Sequence, residues 1–147
     1  MTFLILVYFK LLVWLGDIKS EVVGIQDGDT IELKMVYSGE NARNRKGKNL
    51  RIRLAHVDCP EKGKAFYTNA KQFSSNLCFR KIVTIIHSNK FDRYGRLIGE
   101  IILPNGKNLN KELVNAGLAI HFKKYSNSSR YANLELQARI KKVGIWH

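Results

Sequence analysis

The sequence predicts an α+β fold, mainly β, in which five short strands close a small barrel and three helices pack on it. Three observations carry that expectation. Runs of β-rich and period-two character come first, helical stripes are interposed without regular β-α alternation, and Gly, Asp and Asn turn signals separate them. No internal repeat, low-complexity stretch or Pro-rich linker divides the chain, which contains only 2 prolines. Its 147 residues fit one domain large enough to bury a real core.

The elements follow in order. Glu21 to Ile25 and Thr30 to Val36 are strand-like and are joined through Asp27-Gly28-Asp29, a hairpin signal. A polar loop from Ser38 to Asn49 precedes Leu50, Ile52 and Leu54, which alternate with Arg51 and Arg53. The third strand therefore turns its arginines away from the core. From Ala65 to Leu77 the apolar Phe66, Ala70, Phe73 and Leu77 fall at helical spacing, with Lys71, Gln72 and Asn76 on the outer side. Lys81 to His87 and Leu97 to Leu103 are the fourth and fifth strands, around the turn Asp92-Arg93-Tyr94-Gly95. Asn110 to Ala116 is a short helix stopped by Gly117, and Ser129 to Lys142 a longer one stopped by Gly144. The order β-β-β-α-β-β-α-α calls for an antiparallel barrel, and the OB-fold is the architecture it suits.

Composition narrows the partners. The net charge is +13, spread along the chain, and points to a polyanion. Phe3 to Leu15 is apolar apart from Lys10, yet at ~1.5 Å per residue it spans about 20 Å, short of a ~30 Å hydrocarbon core. Residues 1–20 are therefore set apart as a signal peptide or anchor, which implies export to the periplasm, the medium or a membrane face; the competing reading is an extra strand or helix packed on the barrel. Residues 21–147 form the folded domain. Cys59 and Cys78 match neither a redox pair nor a zinc ribbon, and His56-x-x-Cys59 lacks a second half-site. No intramolecular disulfide is expected, because the helix from Ala65 to Leu77 separates the two thiols.

Chemistry concentrates in three segments. Arg53-Leu54-Ala55-His56-Val57-Asp58-Cys59-Pro60-Glu61 crowds charges of both signs at a strand exit, where Pro60 forces a turn that lets Asp58 and Glu61 curl back toward the arginine. Asp27-Gly28-Asp29-Thr30 and Asp92-Arg93-Tyr94-Gly95-Arg96 are ordinary turns taken singly. Together the segments offer two carboxylates for a hard cation, a third carboxylate to act as base, and two guanidinium groups. Phosphodiester cleavage needs that set.

In these motifs the sequence resembles the thermonuclease (staphylococcal-nuclease-like) family: D-G-D-T, R-L-x-x-V-D-x-P-E, D-R-Y-G-R, N-x-x-L-V-x-x-G-L-A and a final G-I-W, in family order from Glu21 to His147. The resemblance implies an OB barrel with three helices and a Ca²⁺-dependent phosphodiesterase that cuts DNA and RNA, single strands preferred, to 3′-phosphate ends. It implies Asp29, Asp58 and the backbone carbonyl of Cys59 as Ca²⁺ ligands, and Arg53, Glu61 and Arg96 as catalytic. It places Arg93, Tyr94, Lys123 and Tyr125 beside the bound nucleotide, Lys123 standing where the best-known member has a tyrosine. A monomer is expected, with no protein partner. Arg43, Arg45, Lys46 and Lys48 add charge to the loop before the third strand, where OB-folds often touch nucleic acid.

Two other function classes compete. One is a noncatalytic nucleic-acid-binding OB module, which the presence of Asp29, Arg53, Asp58, Glu61 and Arg96 together argues against. The other is a small basic membrane-anchored adaptor, which rests only on Phe3 to Leu15 and the charge. His87, His121 and His147 have no assignable partner in the sequence.

Overall fold

A computed structural model of the chain describes residues 18–34 and 49–147. Strands β1 (Ile18–Asp27), β2 (Thr30–Leu33), β3 (Leu50–Leu54), β5 (Ile82–Phe91) and β6 (Leu97–Ile102) close a barrel in the order β1-β2-β3-β6-β5. Two residue pairs, β4 (Val57–Asp58) and β7 (Ile120–His121), make a separate antiparallel ribbon. Helices α1 (Tyr67–Cys78), α2 (Leu109–Asn115) and α3 (Ser129–Lys141) complete the fold. The apolar segment Phe3 to Leu15 and the basic loop with Arg43, Arg45, Lys46 and Lys48 lie outside the described residues, as do the last two residues assigned to the second strand.

The α+β barrel stands as the sequence predicts, with corrections to its start and its pairing: β1 begins at Ile18, ahead of the boundary expected at residue 21, because Ile18, Lys19 and Ser20 pair with Ile85, Thr84 and Val83 of β5. The barrel is not wholly antiparallel: β3 and β6 run parallel, Ile52 opposite Leu97 and Leu54 opposite Gly99. Closure needs this, because β1 serves two neighbours. Its first half pairs with β5 and its second with β2, and register shifts between Val22 and Gly24 and between Ile25 and Asp27 bend it from one to the other. The chain must then cross from β3 to β5 through α1, so β6 returns to β3 in the same sense.

Alternation decides the core. Val22, Ile31, Leu33, Ile52, Leu54, Val83, Ile85, Leu97 and Ile101 are at most 2 % exposed, while Arg51 and Arg53 alternate with Ile52 and Leu54 on the other face of β3. Each such side chain contributes roughly 1.5–3 kcal/mol on burial.

Helix α1 is rotated relative to its apolar pattern. Its wholly buried residues are Ala70, Ser74 and Cys78, with Phe73 and Leu77 only partly covered. Small residues face inward because the β1-β2 turn comes close: Ser74 Oγ donates to Gly28 O at 2.7 Å, and a Cβ on Gly28 would lie 2.9 Å from Ala70 Cβ and 3.0 Å from Cys59 Sγ. Helix α3 also ends differently from the sequence expectation. Lys142, at φ 53°, is already left-handed two residues before Gly144, itself at φ 57°, and the Lys142 N–H donates to Ala138 O and Arg139 O. Gly144 instead permits a close backbone approach to Gly117, sealed by Ile145 N–H donating to Gly117 O at 2.8 Å.

Candidate active site

Three turns converge at one end of the barrel. Register places them: Thr30 pairs with Arg53 across β2 and β3, so Asp29 sits beside the root of Arg53. The Leu54 N–H donates to Asp29 O at 2.9 Å, locking that alignment. After Leu54 the chain reverses through His56, at φ 69°, into β4, which carries Asp58. Asn110, wholly buried at the start of α2, bolts this exit in place. Its Nδ2 donates to Ala55 O (2.9 Å) and Gly99 O (3.2 Å), and its Oδ1 accepts from Ile101 N–H (3.1 Å).

The Arg53 guanidinium occupies the junction. Nη1 donates to Leu54 O (3.0 Å) and Val57 O (2.9 Å) and lies 3.4 Å from Asp29 Oδ2; Nη2 lies 3.3 Å from Asp58 Oδ1. One fork thus joins two carboxylates from different turns, and its plane is held without the substrate. Asp29 Oδ2 also accepts the Cys59 N–H at 2.8 Å. Burial raises the Asp58 pKa; Arg53 pulls it back, but the charges of Asp29 and Glu61 push it up again and the net shift is upward. Of the two carboxylates expected to curl toward the arginine, Asp58 does so, whereas Glu61 is exposed at the rim and makes no ion pair with Arg53 or Arg96 among the described residues.

Arg96 enters from the β5-β6 turn. Its Nε donates to Asp92 Oδ2 at 2.6 Å, and its Nη1 donates to Thr30 Oγ1 at 3.1 Å, whose hydroxyl is 3.5 Å from Asp29 Oδ1. Asp92 further accepts the N–H groups of Tyr94 (2.9 Å) and Arg96 (3.0 Å). Burial alone would raise the Asp92 carboxyl, but these donors outweigh it and its pKa is lowered. Tyr94 is exposed, with the guanidinium groups of Arg93 and Arg96 at 4.9 and 5.3 Å from its ring centroid.

The turn that carries Lys123 and Tyr125 reaches the site through Phe122. Phe122, next to β7, receives the Arg53 guanidinium at 5.8 Å and packs edge-on against Tyr125 at 5.0 Å; Tyr125 is 73 % exposed. Lys123 pairs with buried Glu135 at 3.8 Å. Several supporting residues are given no role by the sequence alone: Asn110, Phe122, and Arg51, whose Nη2 donates to Tyr94 O at 2.7 Å. Asn110 and Arg51 carried a signal, Asn110 as the first residue of N-x-x-L-V-x-x-G-L-A and Arg51 by sharing the outer face of β3 with Arg53. The two cysteines are free and buried; Cys78 Sγ contacts Ser74 O at 3.0 Å.

Comparison with known proteins supports the resemblance to this family. Residues 51–147 match the family described as staphylococcal nuclease homologue. A protein of Escherichia coli named as an endonuclease is 34% identical over 143 residues, covering 97% of this chain and 86% of its own length. The micrococcal nuclease of Shigella flexneri is 34% identical over 141 residues, 89% of this chain and 75% of its own. An endonuclease of Haemophilus influenzae is 33% identical over 125 residues, 85% of this chain and 64% of its own. With the barrel, the turns and these relatives in agreement, the chain belongs to the staphylococcal nuclease homologue family of nuclease hydrolases.

Proposed function

We propose that the chain hydrolyses phosphodiester bonds of DNA and RNA, single strands preferred, with Ca²⁺ at Asp29 and Asp58 and 3′-phosphate products. One observation carries this reading: Arg53 is forked between Asp29 and Asp58 while Arg96 is tethered through Thr30 to the same Asp29. The donor set suits a hard cation. Both side chains offer oxygen, and Asp58 is raised chiefly by burial and further by the charges of Asp29 and Glu61, costs that a bound cation would offset. Among the described residues no group of three or more His, Cys, Asp and Glu side chains converges, so the Cys59 carbonyl, waters and substrate oxygens would complete the shell. When bound, the ion supplies Lewis-acid polarisation of a phosphate oxygen.

The protein groups do the rest. Arg53 and Arg96 grip the phosphate oxygens as negative charge grows on them, where a lysine lacks the second donor. Glu61, exposed at the rim, takes the proton of a water that attacks phosphorus in line. The new P–O bond forms, the P–O5′ bond breaks, and the 5′ oxygen takes up a proton from solvent. Tyr94 and Tyr125 offer exposed rings for sequence-tolerant stacking.

The test is digestion of denatured DNA and of RNA by the whole chain with Ca²⁺, Mg²⁺ or chelator. Cleavage in Ca²⁺, poor cleavage in Mg²⁺ and none in chelator is the expected result; equal rates in Mg²⁺ alone remove the Ca²⁺ assignment. Oligonucleotide binding without cleavage under every condition makes the chain a nucleic-acid-binding module instead. We also propose export, on the apolar run Phe3 to Leu15, and fractionation of expressing cells decides it: recovery in the cytosol alone ends that proposal.

A further inference from the structure

A polar cluster that the proposed chemistry does not use lies between the strand exit carrying Asp58 and the turn carrying Tyr125. Ser126 Oγ, buried, stands 2.7 Å from His56 Nδ1 and 2.9 Å from His121 Nε2. The His56 ring stacks on Tyr131 with centroids 4.6 Å apart, and the Tyr131 hydroxyl donates to Glu100 at 2.5 Å. The His121 backbone N–H donates to buried Glu135 at 3.2 Å. A serine hydroxyl carries one proton and can donate to only one of the two imidazoles, while its oxygen also accepts the Ser128 N–H at 3.4 Å. Ser126 and His121 are buried and His56 is about one-third exposed, so the bridge satisfies His121 Nε2 away from water while His121 Nδ1 has no partner among the described residues.

The bridge closes a ring around the site. Asp58 pairs with Ile120 and Val57 with His121 across the β4-β7 ribbon. The Phe122 N–H donates to the His56 carbonyl at 2.8 Å, the Tyr125 N–H donates to Phe122 O at 3.1 Å, and Ser126 then returns to the His56 ring. The turn Phe122 to Tyr125 is therefore clamped to one residue at both ends, by backbone at the start and by Ser126 at the finish. We propose that Ser126 is a positioning residue which, through His56 and His121, holds Tyr125 at the nucleotide side of the site. The proposal rests on the nuclease reading above for what the turn contacts. Arg53 has acceptors of its own on both sides, so loosening the clamp falls on substrate binding and not on the chemical step.

The experiment is a double-mutant cycle of Ser126→Ala with Tyr125→Ala, read on a single-stranded DNA oligonucleotide. Ser126→Ala raises KM about fivefold to tenfold with kcat within about twofold and unfolding still cooperative. The double variant is no more than about twofold worse than the worse single variant, because the hydroxyl acts through Tyr125. Ser126→Thr, which keeps the hydroxyl, restores KM. A fall in kcat at unchanged KM, or additive effects, overturns the proposal. Should alanine impair folding, His121→Asn cuts the same bridge from its other side and is read in the same way. Fluorescence anisotropy of a labelled oligonucleotide, with Ca²⁺ and with chelator, separates the two readings. If the unaltered chain binds without cutting, the nuclease reading fails and the binding ratio still decides the role of Ser126. Equal binding by Ser126→Ala overturns the positioning role, and no binding by the unaltered chain sinks both.

Discussion

Arg53 illustrates how a single side chain is made rigid by its surroundings. Two carbonyls and two carboxylates accept from or flank one guanidinium, so its orientation is set before any phosphate arrives. A lysine in its place offers a point charge with no fork. Arg53→Lys and Arg96→Lys should each lower kcat at least ~100-fold with the fold intact and unfolding still cooperative, and Glu61→Gln should do the same by removing the proton acceptor. Steady-state kinetics on denatured DNA check this; near-native activity of any one variant removes the role given to it. The cysteines are a second residue-scale case. Burial pushes the Cys59 thiol well up, with the charge of Asp29 adding to it, and pushes Cys78 up to about 12. Both thiols should stay silent toward a chromogenic disulfide reagent at pH 8 in the native protein, and both should react once it is denatured. Rapid labelling of either in the native state contradicts the burial.

Among the elements, the β5-β6 turn carries the clearest electrostatic argument. Asp92 accepts from two backbone N–H groups and from Arg96 Nε, and its carboxyl is held below the ordinary value of 3.8. A depressed folded-state pKa contributes stability that is present above the unfolded value and lost as pH falls through the folded one. Asp92→Asn should therefore cost about 1–2 kcal/mol near pH 7, with the deficit shrinking below about pH 4 as the native carboxyl also protonates. Denaturant melts at pH 7 and pH 3 measure it; a deficit constant across that range argues that packing, not charge, is lost. Activity should fall as well, since Arg96 loses its anchor. Helix α1 supplies the contrasting case, in which close packing of Ala70 and Ser74 on Gly28 holds the Asp29 turn without any charge.

At the scale of the whole molecule, the net charge of +13 governs approach to a polyanion. Arg43, Arg45, Lys46 and Lys48 form a dense basic run near β3 in sequence. Replacing all four with Gln should weaken binding to single-stranded DNA and flatten its log-log salt slope by up to ~0.7 per lost phosphate contact, leaving kcat near native. Binding titrations between low and physiological salt test it, and an unchanged slope assigns the loop to solvent.

The five barrel strands, the three helices and the charged turns follow from the sequence by itself, because period, turn residues and motif order are local properties, whereas the short β4 and β7 carry no such signal. Alternation of Ile52 and Leu54 with Arg51 and Arg53 was enough to orient β3. The parallel β3-β6 pair, the rotation of α1 toward its small residues and the left-handed Lys142 were not readable in that way. Each depends on what a distant segment presents: a barrel that must close, a glycine turn that comes within van der Waals contact, and a C-terminal segment that needs Gly144 against Gly117. The same holds for the site. Asp29, Arg53, Asp58, Glu61 and Arg96 are visible as residue types suited to phosphate chemistry, but the junction of Asp29, Arg53 and Asp58 is made by the Thr30-Arg53 register and by Asn110. His56, Ser126 and His121, up to 70 positions apart, meet only because β4 and β7 pair. Sequence specifies which groups exist and which local shapes they favour; the closed barrel, with the β4-β7 ribbon and the helices packed on it, decides which of them share a few ångströms of space.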